Sequence, residues 1–291
     1  MSTATPGYLG PFRLLNAIHT GHASQIWQAY DDRKRRRVCI KTLLDRFRRD
    51  REQVGYLKRE YAIGQHLNHP NVIEIEKYDV DRGRPYLVME WFAAPNMKNL
   101  IRQGTAPVAH LLEGVVEQSA VGLDVLHKAG YVHRDVKPDN FLVSETGEVK
   151  LIDFALAHRA RGGLAKWFTR APKLQGTRSY MAPEQIRCEA ADPRADLYSY
   201  ACVIFELLSG RPPFTGATAN ELLNKHLKAA PPSLETIDKN LTPEFVQLIR
   251  RSMAKRPEER PQSMADFLTD FRRLRMWRVA PRPPQAETPS S

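Results

Sequence analysis

The segment YVHRDVKPDNFLV, residues 131–143, combines apolar ends with a polar centre. Five side chains in the centre are suited to chemistry: His133, Arg134, Asp135, Lys137 and Asn140. Residues of these types can also cap a loop through local hydrogen bonds, and any one of them alone would favour that interpretation. Together, at this spacing, they favour a reactive loop between two apolar segments.

A second carboxylate follows thirteen residues after Asn140. In LIDFALAHR, residues 151–159, two apolar residues come directly before Asp153 and Phe154. This pattern predicts a buried strand that ends at a carboxylate. The sequence therefore supplies an acidic group on each of two neighbouring segments, Asp135 on the first and Asp153 on the second.

Residues 11–93 are typical of short strands with one helix. The predicted strands, rich in β-branched and aromatic residues, are 25–31, 36–43, 71–81 and 84–92. The segment 51–67 has helical spacing and stops before the sequence NHPN, where proline and asparagine end helices. Lys41 lies on the second strand, and Glu60 lies on this helix.

From residue 97 onward the pattern becomes helical. The predicted helices are 108–130, 195–210, 218–229, 242–253 and 262–275. A small β-rich part (11–93) before a larger helical part (94–278) predicts an α+β fold with a cleft near residue 93, and such clefts favour ligands. Residues 1–10 and 279–291 are rich in Pro, Ser, Thr and Ala, so we expect both to be flexible.

The 291 residues carry a formal charge of +11, and 42% of them are hydrophobic, which is ordinary for a folded chain. The positive charge fits nucleic acid, an acidic surface or an acidic substrate, but a solvated surface rich in Lys and Arg is the simpler explanation and the favoured one. No nucleic-acid motif accompanies the basic runs at 33–37 and 46–51, so no nucleic-acid partner is expected.

The three cysteines, Cys39, Cys188 and Cys202, have neither disulfide nor metal-site spacing, which favours a reducing compartment. The N-terminus lacks the features of a signal peptide, and no stretch approaches the roughly 20 apolar residues of a membrane span. We therefore expect a soluble, cytoplasmic protein.

The spacing H-R-D-x-x-x-x-N at 133–140, with Asp-Phe in register after it, resembles the eukaryotic-like (bacterial-type) serine/threonine protein kinase family. The resemblance covers roughly residues 12–275. It implies a two-lobed α+β fold, with a small lobe at 11–93 and a helical lobe at 94–278. It also implies ATP with Mg²⁺ or Mn²⁺, autophosphorylation, and a protein substrate that offers a Ser or Thr hydroxyl.

The resemblance assigns roles to the residues of the reactive loop and its neighbours. Asp135 is expected to orient the acceptor hydroxyl and take its proton, while Lys137 contacts the γ-phosphate. Lys41, held by Glu60, is expected to reach the α- and β-phosphates. The two residues implied as metal ligands are Asn140 and Asp153.

A nucleotide site is implied in the small lobe and at its edge. In NAIHTGHASQIWQAY the glycine-rich loop of the family keeps only its middle glycine, Gly21, with His19 and Ser24 in place of the outer two. The residues implied to bind the nucleotide are Ile18, Gly21, Ser24, Ile26, Cys39, Lys41, Met89, Glu90, Phe92 and Leu142.

The segment GTRSYMAPEQ, residues 176–185, resembles the end of the family's activation segment. The resemblance also implies structural roles. Arg134 is one structural residue, Asp196 is expected to hold the loop backbone, and Glu184 is expected to form an ion pair with Arg260. Thr177 is expected to contact Asp135, as in Ser/Thr-specific members. Thr169 is expected to be an activating phosphorylation site.

Three departures from the family pattern keep an alternative open. Ala155 replaces the glycine of D-F-G, His19 replaces a loop glycine, and Gly64 stands where a bulky residue usually stacks on Phe154. We expect Gly64 to loosen the helix that carries Glu60, so that the active arrangement depends on a partner, on a homodimer through the small lobe, or on phosphorylation. The alternative is a pseudokinase that binds nucleotide or partners without transferring phosphate.

Overall fold

The computed structural model describes residues 7–160 and 175–283. Thr169, the predicted phosphorylation site, lies outside the described residues. The chain divides into two compact units: unit 1 comprises Met1–Ala93 with Ile152–Ala157, and unit 2 comprises Ala94–Leu151 with His158–Ser291. Unit 1 is mainly β-sheet and unit 2 mainly helical, so the predicted α+β class is confirmed.

Unit 1 is an antiparallel sheet with one helix. Its strands are β1 (Tyr8–Leu9), β2 (Phe12–Thr20), β3 (Ser24–Asp31), β4 (Arg36–Leu43), β5 (Ile75–Asp81) and β6 (Arg84–Glu90). They lie in the order β1-β2-β3-β4-β6-β5. Helix α1 (Arg51–Gly64) stands between β4 and β5 in the chain, and the side chain of Asp50 caps its N-terminus.

The core of unit 1 determines which way the site residues of β4 point. Val38 and Ile40 are fully buried in a cluster with apolar residues of β1, β2, β3 and β6. Because successive side chains of a strand point to opposite faces, Cys39 and Lys41 are directed to the other face of the sheet. Burial of two aliphatic residues thus presents a lysine at a fixed position.

The end of α1 packs directly on β5. Both Gly64 and Ile75 are buried, and a Cβ at residue 64 would lie 2.4 Å from Cδ1 and 2.7 Å from Cγ1 of Ile75. Ile75 therefore fills the space that a larger residue 64 would occupy. The expected loosening of α1 finds no support, because the glycine allows close packing and leaves no gap.

Unit 2 contains the remaining elements. Its helices are α2 (Met97–Gln103), α3 (Leu112–Lys128), α4 (Pro183–Ile186), α5 (Pro193–Ser209), α6 (Ala219–Lys228), α7 (Pro243–Ser252) and α8 (Met264–Arg273). Its strand pairs are β7 (Tyr131–Val132) with β10 (His158–Arg159), and β8 (Phe141–Val143) with β9 (Val149–Leu151).

The predicted helix 108–130 begins later than expected, at Leu112, because a 3₁₀ turn over Ala106–Leu111 precedes it. Apolar spacing in so short a segment does not distinguish a 3₁₀ turn from an α-helix. The predicted helix 51–67 likewise ends earlier, at Gly64.

Helix α5 is buried nearly all round, as its continuous apolar sequence predicts. The carboxylate of Asp192 caps its N-terminus by accepting a hydrogen bond from Arg194 N. Gly210, at φ 76°, ends the helix in the left-handed conformation that glycine adopts without strain. The helix carries two acidic residues, Asp196 and Glu206, into the interior of unit 2.

A buried histidine lies beside α5. The ring of His226, on α6, is fully buried, and its Nδ1 lies 3.0 Å from the hydroxyl of Tyr198. Burial and the nearby charge of Lys255 lower the pKa of His226 from 6.5 to about 4. The histidine is therefore neutral in the folded protein near neutral pH.

Replacing Gly64 by Ala should lower the free energy of unfolding, measured in urea, by ~1–3 kcal/mol, because the new methyl overlaps Ile75. The matched control is Gly55→Ala on the same helix, where a Cβ would meet nothing within 4 Å; this change should stabilise by ~0.5–1 kcal/mol. Combined with Ile75→Ala, the Gly64 change should cost no further stability. Equal stability of the two glycine variants would show that Ile75 does not fill the space.

The free energy of unfolding should fall as the pH drops from 6.5 to about 4, the two pKa values of His226. In that range the unfolded chain binds a proton on His226 that the folded chain does not, and the difference amounts to ~3 kcal/mol. Urea unfolding over a pH series should show that His226→Gln removes this contribution. The control His66→Gln changes an exposed histidine and should leave the pH dependence of the free energy of unfolding as it is in the wild type. A His226→Gln variant that keeps the wild-type pH dependence would contradict the assignment.

Candidate active site

Three predicted site residues meet in unit 1. Nζ of Lys41 lies 2.7 Å from Oε2 of Glu60 and 3.1 Å from Oδ1 of Asp153. Lys41 comes from β4, Glu60 from α1, and Asp153 from the segment 152–157 that joins this unit. The ammonium group therefore lies between two carboxylates contributed by distant parts of the chain.

The electrostatics of this cluster keep the lysine charged. Burial opposes the charge on Lys41, but the carboxylates of Asp153 and Glu60 outweigh it and raise the pKa of the lysine. Burial raises the pKa of Glu60 to about 7 against the opposing effect of Lys41, and Asp153 raises it further. An ammonium group held at a fixed place is suited to bind phosphate oxygens.

In the segment LIDFALAHR, the strained backbone conformation occurs at Asp153, a predicted site residue. Asp153 has φ 66°, a left-handed conformation that is uncommon for a residue with a side chain, whereas Phe154 behind it is fully buried. Ala155 is not one of the described non-glycine residues that have a positive φ. Alanine in place of the usual glycine therefore introduces no left-handed strain at this position.

A second group of site residues surrounds Asp135 in unit 2. Its Oδ1 accepts hydrogen bonds from the backbone N of Thr177 at 2.7 Å and from Oγ1 of Thr177 at 2.9 Å. Its Oδ2 accepts from Nζ of Lys137 at 2.6 Å. Both oxygens of the carboxylate are thus held in place by hydrogen-bond donors of neighbouring residues.

Asn140 supports the same loop. Its Nδ2 donates to the carbonyl of Asp135 at 2.8 Å, and the residue is buried. Because the nitrogen is used in this hydrogen bond, Oδ1 is the atom of the amide that can bind a cation.

Asp196, on α5, holds the loop backbone as the resemblance implies. Its Oδ2 accepts from His133 N at 2.6 Å and its Oδ1 from Arg134 N at 2.8 Å. Oδ2 also lies 2.8 Å from Nε2 of His127. Arg134 itself has φ 68°, so this buried carboxylate maintains a loop conformation that is locally unfavourable.

Gly176 was not singled out from the sequence, although it directly precedes Thr177. It has φ 109°, and a Cβ there would lie 2.8 Å from the carbonyl oxygen of Arg134. Only glycine lets the chain approach the loop closely enough for Thr177 to reach Asp135. The sequence did contain an indication of this role, because Gly176 directly precedes Thr177, the residue predicted to contact Asp135.

Glu184 and Arg260 form a buried bidentate ion pair, with N–O distances of 2.7 and 2.9 Å. The guanidinium also donates to the carbonyl groups of Arg194, Ala254 and Lys255. With these donors satisfied, the pair ties α4 to the segment before α8.

The residues implied to bind the nucleotide lie mainly on strands of unit 1. Ile26 on β3 is the register partner of Lys41, and Cys39 is the partner of Met89 at the end of β6. The remaining members occupy β2, the β2–β3 turn, β3, β6 and the residues after it: Ile18, Gly21, Ser24, Glu90 and Phe92. Leu142 is the exception, because it lies on β8 of unit 2.

Gly21 has room for a side chain within the protein itself. A Cβ there would lie 3.6 Å from His19 Nε2 and from the carbonyl oxygen of Ser24, which are ordinary contacts. A requirement for glycine at this position would thus come from a bound group rather than from folding. Burial raises the pKa of the Cys39 thiol to about 12, so this cysteine stays protonated.

The donor set for a metal ion fits Mg²⁺ in type. Within residues 7–160 and 175–283, no group of three His, Cys, Asp or Glu side chains could hold a metal ion alone. Mg²⁺ usually takes one or two protein oxygens and completes its shell with phosphates and water. The carboxylate of Asp153 in unit 1 and the amide oxygen of Asn140 in unit 2 are donors of that kind.

The described helices include none long and apolar enough to cross a membrane. This finding concerns only the part of the chain that the structure describes.

Comparison with known proteins identifies the family. A family model described as "Protein kinase domain" matches residues 12–270. The serine/threonine-protein kinase PknA of Mycobacterium tuberculosis is 36% identical over 286 residues, which cover 96% of this chain and 65% of that protein.

Two further relatives carry the same description. The probable serine/threonine-protein kinase PknB of Bifidobacterium longum is 34% identical and covers 93% of this chain. The serine/threonine-protein kinase PknL of M. tuberculosis is 34% identical and covers 84%. The chain spans 65% of the length of PknA, 41% of PknB and 60% of PknL. The resemblance in the reactive loop is confirmed, and the chain belongs to the protein kinase domain family.

Proposed function

We propose that the protein transfers the γ-phosphate of ATP to serine or threonine hydroxyls of protein substrates, and also to its own chain. The observation that supports this proposal most directly is the environment of Asp135. Lys137 and Thr177 orient its carboxylate through hydrogen bonds of 2.6 and 2.9 Å. A carboxylate oriented in this way can receive the proton of an incoming hydroxyl.

In the proposed reaction, Asp135 orients the acceptor hydroxyl and takes its proton as the oxygen attacks the γ-phosphorus. The bond between the γ-phosphorus and the bridging oxygen breaks, and ADP leaves. Lys137 lies 2.6 Å from Asp135 and supplies positive charge next to the same position. Since the charge of the transferred group spreads over its oxygens in the transition state, a lysine at this place stabilises the transition state.

Lys41 binds the phosphates that are not transferred. Glu60 and Asp153 limit the conformations of its side chain, so little further ordering is needed when ATP binds. The nucleotide base is placed against the strand residues Ile26, Cys39 and Met89.

Asn140 and Asp153 are the residues that would hold Mg²⁺ or Mn²⁺. When bound, the ion supplies positive charge that neutralises the phosphate oxygens. Asn140 retains its orientation through its hydrogen bond to the Asp135 carbonyl, so the amide oxygen is available without rearrangement.

The choice of serine and threonine rests on two residues. Lys137 and Thr177 match positions that are typical of Ser/Thr-specific members, and both contact Asp135. The relatives PknA, PknB and PknL are each described as a serine/threonine-protein kinase.

The pseudokinase alternative has no support. Lys41, Glu60 and Asp153 are in contact, Ala155 introduces no left-handed strain, and Ile75 fills the space beside Gly64. Activation through Thr169, a homodimer through unit 1 and a cytoplasmic location stay predictions.

Asp135→Asn should lower kcat for transfer by at least ~10²-fold, because the substitution removes the proton acceptor. Binding of ATP should be retained, since the contacts of Lys41 are unchanged. Radiolabel transfer from ATP to a generic protein substrate measures the first quantity, and fluorescence of a nucleotide analogue measures the second. Transfer at the wild-type rate by this variant would refute the proposed function.

Thr177→Val should reduce kcat by roughly 10–100-fold, the value of one hydrogen bond to a charged group. Thr177→Ser keeps the hydroxyl and should restore most of the rate. KM for ATP should be similar in both variants, because Thr177 orients Asp135 and not the nucleotide. Equal kcat values for the Val and Ser variants would exclude an orienting role for the hydroxyl.

A further inference from the structure

The tip of the turn between β2 and β3, residues 21–23, is held by two side chains whose role the sequence did not reveal. A guanidinium N–H of Arg46 donates to the carbonyl oxygen of His22 at 3.0 Å. The ring centroids of His22 and Phe47 lie 5.2 Å apart, with 54° between the ring planes. Arg46 and Phe47 therefore contact the same residue of the tip.

The two side chains also contact each other. The guanidinium carbon of Arg46 lies 5.0 Å from the centroid of the Phe47 ring, a distance at which a cation is attracted to an aromatic face. Arg46 and His22 are exposed, and Phe47 is half-buried. Because the ring limits the conformations of the exposed arginine, less side-chain entropy is lost when the hydrogen bond to His22 forms.

Two backbone hydrogen bonds act on the same tip. Within the turn, Gly21 N donates to the carbonyl oxygen of Ser24 at 2.9 Å. Leu44 N, directly after β4, donates to the carbonyl oxygen of Ala23 at 2.9 Å. An isolated hairpin would have only the first of these bonds, so the residues after β4 add order that the turn does not supply by itself.

The residues that hold the tip lead directly into α1. They form a 3₁₀ turn over Asp45–Phe47, and the carbonyl oxygen of Phe47 accepts a hydrogen bond from the N-cap residue of α1, Asp50, at 3.0 Å. Oδ1 of Asp45 lies 2.6 Å from a guanidinium nitrogen of Arg84 on β6, an exposed ion pair that adds a weaker attachment. The segment is thus fixed both to the sheet and to the helix.

Order in the tip matters for a ligand that the tip binds. A flexible turn that becomes ordered on binding loses backbone entropy, and this loss lowers the affinity for the ligand. A turn that is ordered before the ligand arrives avoids the loss. This step rests on the proposed binding of ATP, for which Gly21 and Ser24 are among the implied contacts.

We propose that Arg46 and Phe47 are positioning residues for the nucleotide, because they hold residues 21–23 in the conformation that receives the phosphates of ATP. Neither residue is assigned a contact with the nucleotide itself. Arg46 acts through the carbonyl group of His22. Phe47 acts through the ring of His22 and through the guanidinium group of Arg46.

A general electrostatic role for Arg46 makes a different prediction. If its charge merely attracts the phosphates over a distance, another exposed arginine of the same segment contributes similarly, and added salt screens both contributions. Arg49 is exposed on this segment and supplies the matched comparison. If Arg46 holds the tip, the effect is specific to Arg46.

The experiment measures the dissociation constant of a fluorescent ATP analogue in the presence of Mg²⁺. Arg46→Ala should raise this constant roughly 2–10-fold, the equilibrium effect of losing one exposed hydrogen bond. Arg46→Lys keeps a cationic donor for the His22 carbonyl and should bind the analogue more tightly than Arg46→Ala. Arg49→Ala removes the same charge and should bind as the wild type does.

Two further measurements complete the comparison. In transfer assays, Arg46→Ala should raise KM for ATP and leave KM for the protein substrate at the wild-type value. Phe47→Leu should also weaken nucleotide binding, and Arg46→Ala/Phe47→Leu should weaken it by less than the product of the two single effects, because both residues hold His22. A dissociation constant of Arg46→Ala equal to that of Arg49→Ala would overturn the proposal.

Failure of the proposed function has its own signature, which is the absence of both nucleotide binding and transfer in the wild type. The holding of the tip is then measured by amide hydrogen exchange at Gly21 and Leu44, whose N–H groups are bound to the carbonyl groups of Ser24 and Ala23. Faster exchange in Arg46→Ala than in Arg49→Ala supports the holding of the tip, and equal exchange contradicts it.

Discussion

The arrangement of the reactive loop depends on one buried carboxylate, that of Asp196. It accepts hydrogen bonds from two consecutive backbone N–H groups, of His133 and Arg134, from within a helix that is buried nearly all round. Without this carboxylate, each of the two buried N–H groups would be unpaired at a cost of ~1–3 kcal/mol. The left-handed conformation of Arg134 would then have no hydrogen bond from its N–H group to stabilise it. The position of Asp135 follows from this constraint, because it is the next residue in the chain.

In unit 1, the packing of apolar side chains determines the position of a charged side chain, that of Lys41. Val38 and Ile40 face the core of the sheet, so Lys41 faces the opposite side and meets Glu60 and Asp153. The close approach of α1 to β5 brings Glu60 within reach, and it requires a residue without a side chain at position 64. Gly64 looks like a defect when it is compared with the family pattern. In this chain it is the complement of Ile75.

Several charged groups in this molecule are satisfied entirely by partners in the same chain. Arg260 is bound by Glu184 and by three carbonyl groups, and Glu206 is bound by Lys98 and Tyr180. Such groups are costly to leave unpaired when buried, and they hold helices and loops at defined positions. The cluster of Lys41, Glu60 and Asp153 differs, because Lys41 is held in place by the two carboxylates while the groups it is proposed to bind come from outside the protein.

The sequence by itself determined the α+β class, because the change from short β-rich segments to helical spacing expresses it directly. The candidate site residues came from the resemblance of residues 133–140 and 153–154 to a known family, and the side of the sheet that Lys41 faces follows from strand alternation once Val38 and Ile40 are known to be buried. The predicted bounds of two helices were less accurate, because α1 ends at Gly64 and α3 begins at Leu112. Apolar periodicity hardly changes where an α-helix stops or where a 3₁₀ turn precedes it. The contacts of Gly64 with Ile75, and of Lys98 with Glu206, were decided only by the tertiary structure. They join residues far apart in the chain, and whether a glycine leaves a gap or a lysine covers an acid depends on which side chain packs opposite it.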